Sequence, residues 1–129
     1  MSNKAISLVL GSGGARGLAH VGVIRWLEEN GHEIRSISGC SIGSLIGGAH
    51  AAGKLDAVVE WMESFTKKEI YSMLDLSFTW NSLVKGDKMM AAIQSKIGTD
   101  LIEDLPIKFT AVAADIAAEK EHRFQSGPT

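Results

Sequence analysis

Residues 39–43, Gly39-Cys40-Ser41-Ile42-Gly43, set a serine between two glycines in the pattern G-x-S-x-G. A serine so placed could act as the nucleophile of an acyl transfer. To attack an ester, its hydroxyl must stand clear of its own backbone. A sharp strand-to-helix turn achieves this when glycines two residues to either side let strand and helix pass closely. With 14 glycines in 129 residues, chance composition supplies the pentapeptide about 0.15 times per chain, so the pattern alone is a weak motif. Its meaning depends on what surrounds it.

A second glycine-rich stretch, Gly11-Ser12-Gly13-Gly14-Ala15-Arg16-Gly17, precedes the first. Attack on an ester creates an oxyanion, which needs donors already in place. Consecutive glycines expose backbone N–H groups without a Cβ in the way, so Gly13 and Gly14 are the candidate oxyanion donors. Loss of one such donor raises a barrier by about 3–4 kcal/mol. The competing reading is a nucleotide-binding loop, since Gly11, Gly13 and Gly17 nearly make G-x-G-x-x-G. That reading wants an acidic residue at the end of the second strand for a ribose. Here the strand ends in Ser38-Gly39-Cys40-Ser41, and Glu33 lies before it. A G-K-[ST] phosphate loop is also missing from the sequence.

The surrounding elements must hold these two loops together. Residues 5–10 form a short, mostly apolar run ending at Gly11, predicting a strand covered on both faces. Leu18, Val21, Ile24 and Leu27 recur at spacing three from about Ala15, predicting a helix that stops at Gly31. Ile34 to Ser38 reads as the second strand. A helix of small and apolar residues follows over Ile42 to Ala52. The next, Leu55 to Lys67, has an amphipathic face of Leu55, Val58, Val59, Met62 and Phe65. Residues 69–86 read as irregular. Asp87 could cap a helix over 88–97, and strands are predicted over Ile107 to Ala114 and Glu121 to Phe124. The order β-α-β-α-α-α-β-β predicts a mainly parallel sheet flanked by helices. Gly14 and Ser41 lie 27 residues apart. One βαβ unit takes about 30 residues, so both loops should reach the same C-terminal edge of the sheet, where such folds bind ligands.

Composition excludes several classes. The net charge of −2 and the absence of a basic cluster larger than Lys67-Lys68 give no reason to expect nucleic acid as a partner. The single cysteine, Cys40, cannot form an internal disulfide or a zinc site, and the default compartment is reducing. No apolar run nears the ~18 residues that span a bilayer, and the N-terminal run breaks too soon into a glycine loop for a signal peptide. A cytoplasmic location follows as the expectation, with peripheral contact to the inner face of the membrane left open.

At these residues the sequence resembles the patatin-like phospholipases, in particular their bacterial branch similar to the neuropathy target esterase catalytic domain. The likeness is carried by "LVLGSGGARGLAHVGVIRWLEENG" (8–31) and "ISGCSIGSLIGGAHAAG" (37–53), with weaker likeness through "MLDLSF" (73–78) and "KFTAVAADI" (108–116). The resemblance implies a three-layer α/β/α fold with a mainly parallel sheet. It also implies a lipid or other acyl-ester substrate, hydrolysis by a Ser-Asp dyad, and neither cofactor nor metal. Carried over by position, Ser41 is the nucleophile and the backbone of Gly13 and Gly14 the oxyanion hole. Arg16 either steadies its loop or meets a phosphate. The family's catalytic Asp lies in a D-G-[GA] motif, and no Asp here precedes Gly. Residues 1–129 are therefore expected to be the N-terminal part of a single domain, with negligible esterase activity alone. Two alternatives stand beside the enzyme: a non-catalytic binding or regulatory member of the same fold, and a nucleotide-binding α/β domain.

The histidines offer no triad. His50 follows Ser41 by nine residues, on the opposite side of the predicted helix and about 13 Å along it. His20 reads as helix surface or packing, His32 and His122 as solvated, and Cys40 as a small buried residue filling the turn. Leu76, Phe78 and Trp80 alternate; they suit ordinary packing, or else the entrance for an acyl chain.

Overall fold

A computed structural model describes residues 4–74 and 80–129. Four strands form one sheet in the order β1-β2-β3-β4: β1 (Ala5–Leu10), β2 (Glu33–Cys40), β3 (Lys108–Asp115) and β4 (Lys120–Phe124). The first three run parallel, and β4 turns back antiparallel on β3. Consecutive parallel strands joined by right-handed crossovers keep their helices on one face. Accordingly α1 (Ala19–Glu29), α2 (Ile42–Ala51) and α3 (Leu55–Glu63) share one core with that face, centred on Ile24, Ile37, Ile46 and Val58. Two further helices, α4 (Lys67–Leu74) and α5 (Trp80–Ile97), complete the second crossover, followed by a 3-10 turn at Ile102–Asp104. No helix among the described residues is long and apolar enough to cross a membrane.

Covering both faces of β1 was the expectation, and the structure corrects it. Leu10 is buried and Ile6 and Leu8 half-buried on the helical side, whereas Ser7 is exposed and Val9 is 78% exposed. On this second face the Ser36 hydroxyl donates to Ser7 Oγ at 2.7 Å. Among the described residues this side of β1 is left uncovered at Ser7 and Val9.

The helix α1 begins later than its periodicity implies. Residues Gly14–Leu18 coil as a tighter 3-10 turn before the α-helix starts at Ala19. Gly13 (φ 156°) and Gly14 (φ 54°) lie in left-handed backbone space, which the α-helix cannot use but glycine adopts freely. Gly22, on the exposed side of α1, has nothing within 4 Å of an added Cβ. Gly22→Ala is therefore expected to stabilise the protein by about 0.5–1 kcal/mol through helix propensity alone, read as a raised melting temperature.

The stretch read as irregular over 69–86 is largely helical. The helix predicted to run to Lys67 ends at Glu63, and α4 begins at Lys67; α5 begins at Trp80 rather than at residue 88. Leu76 and Phe78 lie outside the described residues. The restart at α4 is a capping box. The Thr66 amide donates to Glu69 Oε2 at 2.7 Å, its hydroxyl donates to the same oxygen at 3.0 Å, and the Glu69 amide returns a bond to Thr66 Oγ1 at 3.2 Å. The Thr66 amide, and then its hydroxyl, hold the Glu69 carboxyl below its ordinary value of 4.5. A lowered folded-state pKa means the cap contributes fully above that value and is lost as pH falls below it. The protection factor of the Ile70 amide, whose N–H bonds Thr66 O at 3.0 Å, should therefore fall as pH drops below about 4.5, and Glu69→Gln should flatten that pH dependence.

Candidate active site

The candidate site stands where β1 and β2 end side by side, Leu10 opposite Gly39. Immediately after β2 the chain reverses into α2 through Ser41, which has φ 56° and ψ −126°. Left-handed backbone on a non-glycine residue is uncommon, costs about 1–3 kcal/mol and persists only where the surroundings impose it. The surroundings here are backbone. A Cβ on Gly39 would lie 2.6 Å from Ser44 N and nearer still to Gly43 O; one on Gly43 would lie 2.7 Å from Gly11 O and nearer still to Leu10 O. Strand, helix and the neighbouring strand's end thus meet at van der Waals distance, and only glycine fits. Ser41 is left exposed at the crest. Its carbonyl accepts from Ser44 N at 2.9 Å and Leu45 N at 3.1 Å, fixing it as the cap of α2. The amides at the start of α2, Ile42 and Gly43, have no partner within the helix and carry its positive dipole end toward Ser41.

The first glycine loop interlocks with this turn. A Cβ on Gly17 would overlap the side chain of Ile42, and the Ser12 hydroxyl donates to Cys40 Sγ at 3.5 Å. Cys40 is half-buried between the two loops; expected as a buried filler, it is instead the far side of a contact. Arg16 is exposed, and its amide closes the turn on Gly13 O at 3.2 Å. The amides of Gly13 and Gly14 meet no backbone acceptor among the described residues.

Beside Ser41 opens a cleft of about 820 Å³. Gly14, Ser41 and Ile42 form one end, and its walls include Leu45, Ile93, Ile97, Ile102, Phe109 and Phe124. Gly14 and Ser41 therefore share one cleft, while Gly13 is exposed and outside its lining. No carboxylate or imidazole side chain belongs to that lining among the described residues, and these residues hold no cluster of three metal-ligating side chains.

The histidines divide in a way the sequence did not indicate. His50 Nε2 meets Glu28 Oε1 at 2.7 Å, tying α2 to α1. His122 is exposed and sits 3.6 Å from Asp115 Oδ2. His32, read as solvated, stacks on Trp26 with ring centroids 6.0 Å apart, and its Nδ1 is buried without a partner among the described residues. His20, read as helix surface or packing, is half-buried and bonds the carbonyl of Gly11 at 2.8 Å. Its spacing from Gly11 was visible in the sequence, but which way the glycine loop turns was not.

The sequence has relatives among known proteins. The family model described as patatin-like phospholipase matches residues 8–128. An uncharacterized NTE family protein of Mycobacterium tuberculosis is 45% identical over 127 residues, covering 98% of this chain and 35% of its own length. A patatin-like phospholipase domain-containing protein of Caenorhabditis elegans is 40% identical over 136 residues, covering 99% of this chain and 10% of its own. A Candida albicans lysophospholipase, NTE1, is 37% identical over 120 residues, covering 90% and 9%. The chain thus spans about a third of the length of the mycobacterial relative it matches.

Proposed function

The chain belongs to the patatin-like phospholipase family, and from that premise we propose that the protein hydrolyses lipid acyl esters with Ser41 as its nucleophile. The observation that supports this most directly is the strained Ser41 backbone, exposed at the head of α2. Packing imposes that conformation, and what it achieves is to lift a hydroxyl clear of the chain. In the reaction, Ser41 Oγ attacks the ester carbonyl while its proton passes to a base. The negative charge that develops on the carbonyl oxygen is met by the amides of Gly13 and Gly14, aided by the dipole of α2. Collapse of the tetrahedral species expels the alcohol and leaves an acyl-serine, which water then cleaves.

The apolar wall of the cleft suits a fatty acyl chain: Leu45, Ile93, Ile97 and Phe109 would cover methylenes, each worth about 0.8 kcal/mol when buried. The base is read as an Asp outside residues 1–129, which are read as the N-terminal part of one catalytic domain. In support, none of the Asp residues of the sequence precedes a Gly, as the family's catalytic motif would require. The lysophospholipase name of the fungal relative agrees with a lipid acyl ester as substrate.

A fluorophosphonate probe tests the assignment directly, because it reacts preferentially with an activated serine hydroxyl. The full-length protein is expected to become labelled, with the adduct mapping by peptide mass to the segment containing Ser41. Label on another serine, or none on protein that turns over esters, would remove the proposal.

A further inference from the structure

The carbonyl of Gly11 is met from α1 by His20 and from α2 by Gly43. Gly11 follows the buried end of β1 and opens the segment that carries Gly13 and Gly14. That segment is the least restrained kind of backbone, with two consecutive residues in left-handed space. Oxyanion donors act only when held within a few tenths of an ångström of their place, and a displacement of 1 Å costs about 10²-fold in rate. Something must therefore fix the loop from its entrance, as the fit of Gly17 against Ile42 fixes it from its exit.

His20 stands where that restraint is needed. It is the second residue of α1, directly after the 3-10 turn that ends the loop. A carbonyl oxygen only accepts, so the 2.8 Å contact is His20 Nε2–H donating to Gly11 O. This bond joins the first residue of the loop to the helix that follows it, closing a ring of backbone around Gly13 and Gly14. From the other side the same carbonyl lies against Gly43, at the spot where a Cβ would approach it to 2.7 Å. Gly11 O is thus gripped by α1 and abutted by α2, whose N-terminus carries Ser41.

We propose that His20 is a positioning residue for the oxyanion loop, setting the amides of Gly13 and Gly14 relative to Ser41 through the carbonyl of Gly11. The role rests on the reading of Ser41 as an ester nucleophile. His20 touches no reacting atom and moves no proton. Its donation from Nε2 survives in both the neutral Nε2–H tautomer and the charged ring.

The test compares full-length wild type with His20→Ala, His20→Asn, His20→Gln and Ser41→Ala. Gln carries an N–H near the Nε2 position, whereas Asn is too short to reach Gly11 O. His20→Ala and His20→Asn are each expected to lower kcat on a p-nitrophenyl ester about 30- to 100-fold with KM changed less than about threefold. His20→Gln is expected to recover kcat to within about fivefold of wild type. Two ligands separate positioning from general damage. A long-chain alkyl trifluoromethyl ketone, which forms a tetrahedral oxyanion on the serine, should weaken in parallel with kcat. An ether analogue of the substrate, which forms none, should bind unchanged. Should the alanine variant fail to fold, the asparagine variant carries the same comparison. Retention of kcat in folded variants, equal weakening of ketone and ether, or no recovery with Gln would overturn the role of His20 while Ser41→Ala still abolishes turnover. Turnover surviving Ser41→Ala would instead overturn the underlying assignment.

Discussion

Ser41→Ala in the full-length protein should lower ester turnover by at least about 10³-fold while leaving the fold intact. The hydroxyl has no hydrogen-bond partner among the described residues and is exposed, so its removal costs the folded state nothing that can be identified. Alanine keeps the Cβ and therefore the strain at φ 56°, and its melting temperature should match that of wild type. Glycine at the same position relieves the strain. Ser41→Gly should be as inactive as the alanine variant yet more stable by about 1 kcal/mol, after subtracting the extra freedom glycine gives the unfolded chain. The pair therefore separates chemistry from conformation. A Ser41→Ala protein retaining more than a tenth of its turnover would place the nucleophile elsewhere. A glycine variant no more stable than alanine would show that the turn is held without strain.

The second large effect concerns stability. Gly43→Ala should destabilise the protein by more than about 3 kcal/mol, enough to leave much of it unfolded or insoluble on expression. The added methyl would press on the carbonyls of Leu10 and Gly11, and backbone cannot yield as a side-chain tip can. Leu10 is paired in the sheet opposite Gly39 and buried at 2% exposure. Relief would therefore require pulling α2 away from β1 and opening the core around Ile46. Gly22→Ala, the same chemical change at an open helical position, is the internal control with the opposite sign. Thermal or denaturant unfolding of the two variants checks both, and a Gly43→Ala protein as stable as wild type would mean that the strand and helix ends are not packed as closely as they are here.

Much of this was legible in the sequence because it depended on local pattern. The apolar residues of α1 and α3 at helical spacing are those that pack the core, and the two glycine loops do lie at one sheet edge. What failed to read did so for physical reasons. The exposure of Val9 depends on what packs against the second face of β1, which a six-residue apolar run cannot express. The capping box at Thr66 and Glu69 was present as T-x-x-E, but the apolar stripe of the preceding helix overshadowed it. The late start of α1 follows from left-handed glycines, whose φ angles leave no trace in composition. The roles of His20 and His50 arise from contacts 9 and 22 residues apart in the chain, and these exist only once the loop has closed and the helices have packed. No signal in one sequence would have paired them.

The cleft joins two kinds of wall. The Ser41 end rests on backbone packed against backbone at Gly39, Gly43 and the end of β1, whereas the rest is lined largely by apolar side chains, among them Ile93, Ile97, Phe109 and Phe124 from α5, β3 and β4. Mutation acts on these two parts with unequal freedom. Single-methyl changes along the apolar wall should therefore reshape what the cleft can hold while leaving the turn at Ser41 where it is, whereas a methyl added at Gly39 or Gly43 has nowhere to go.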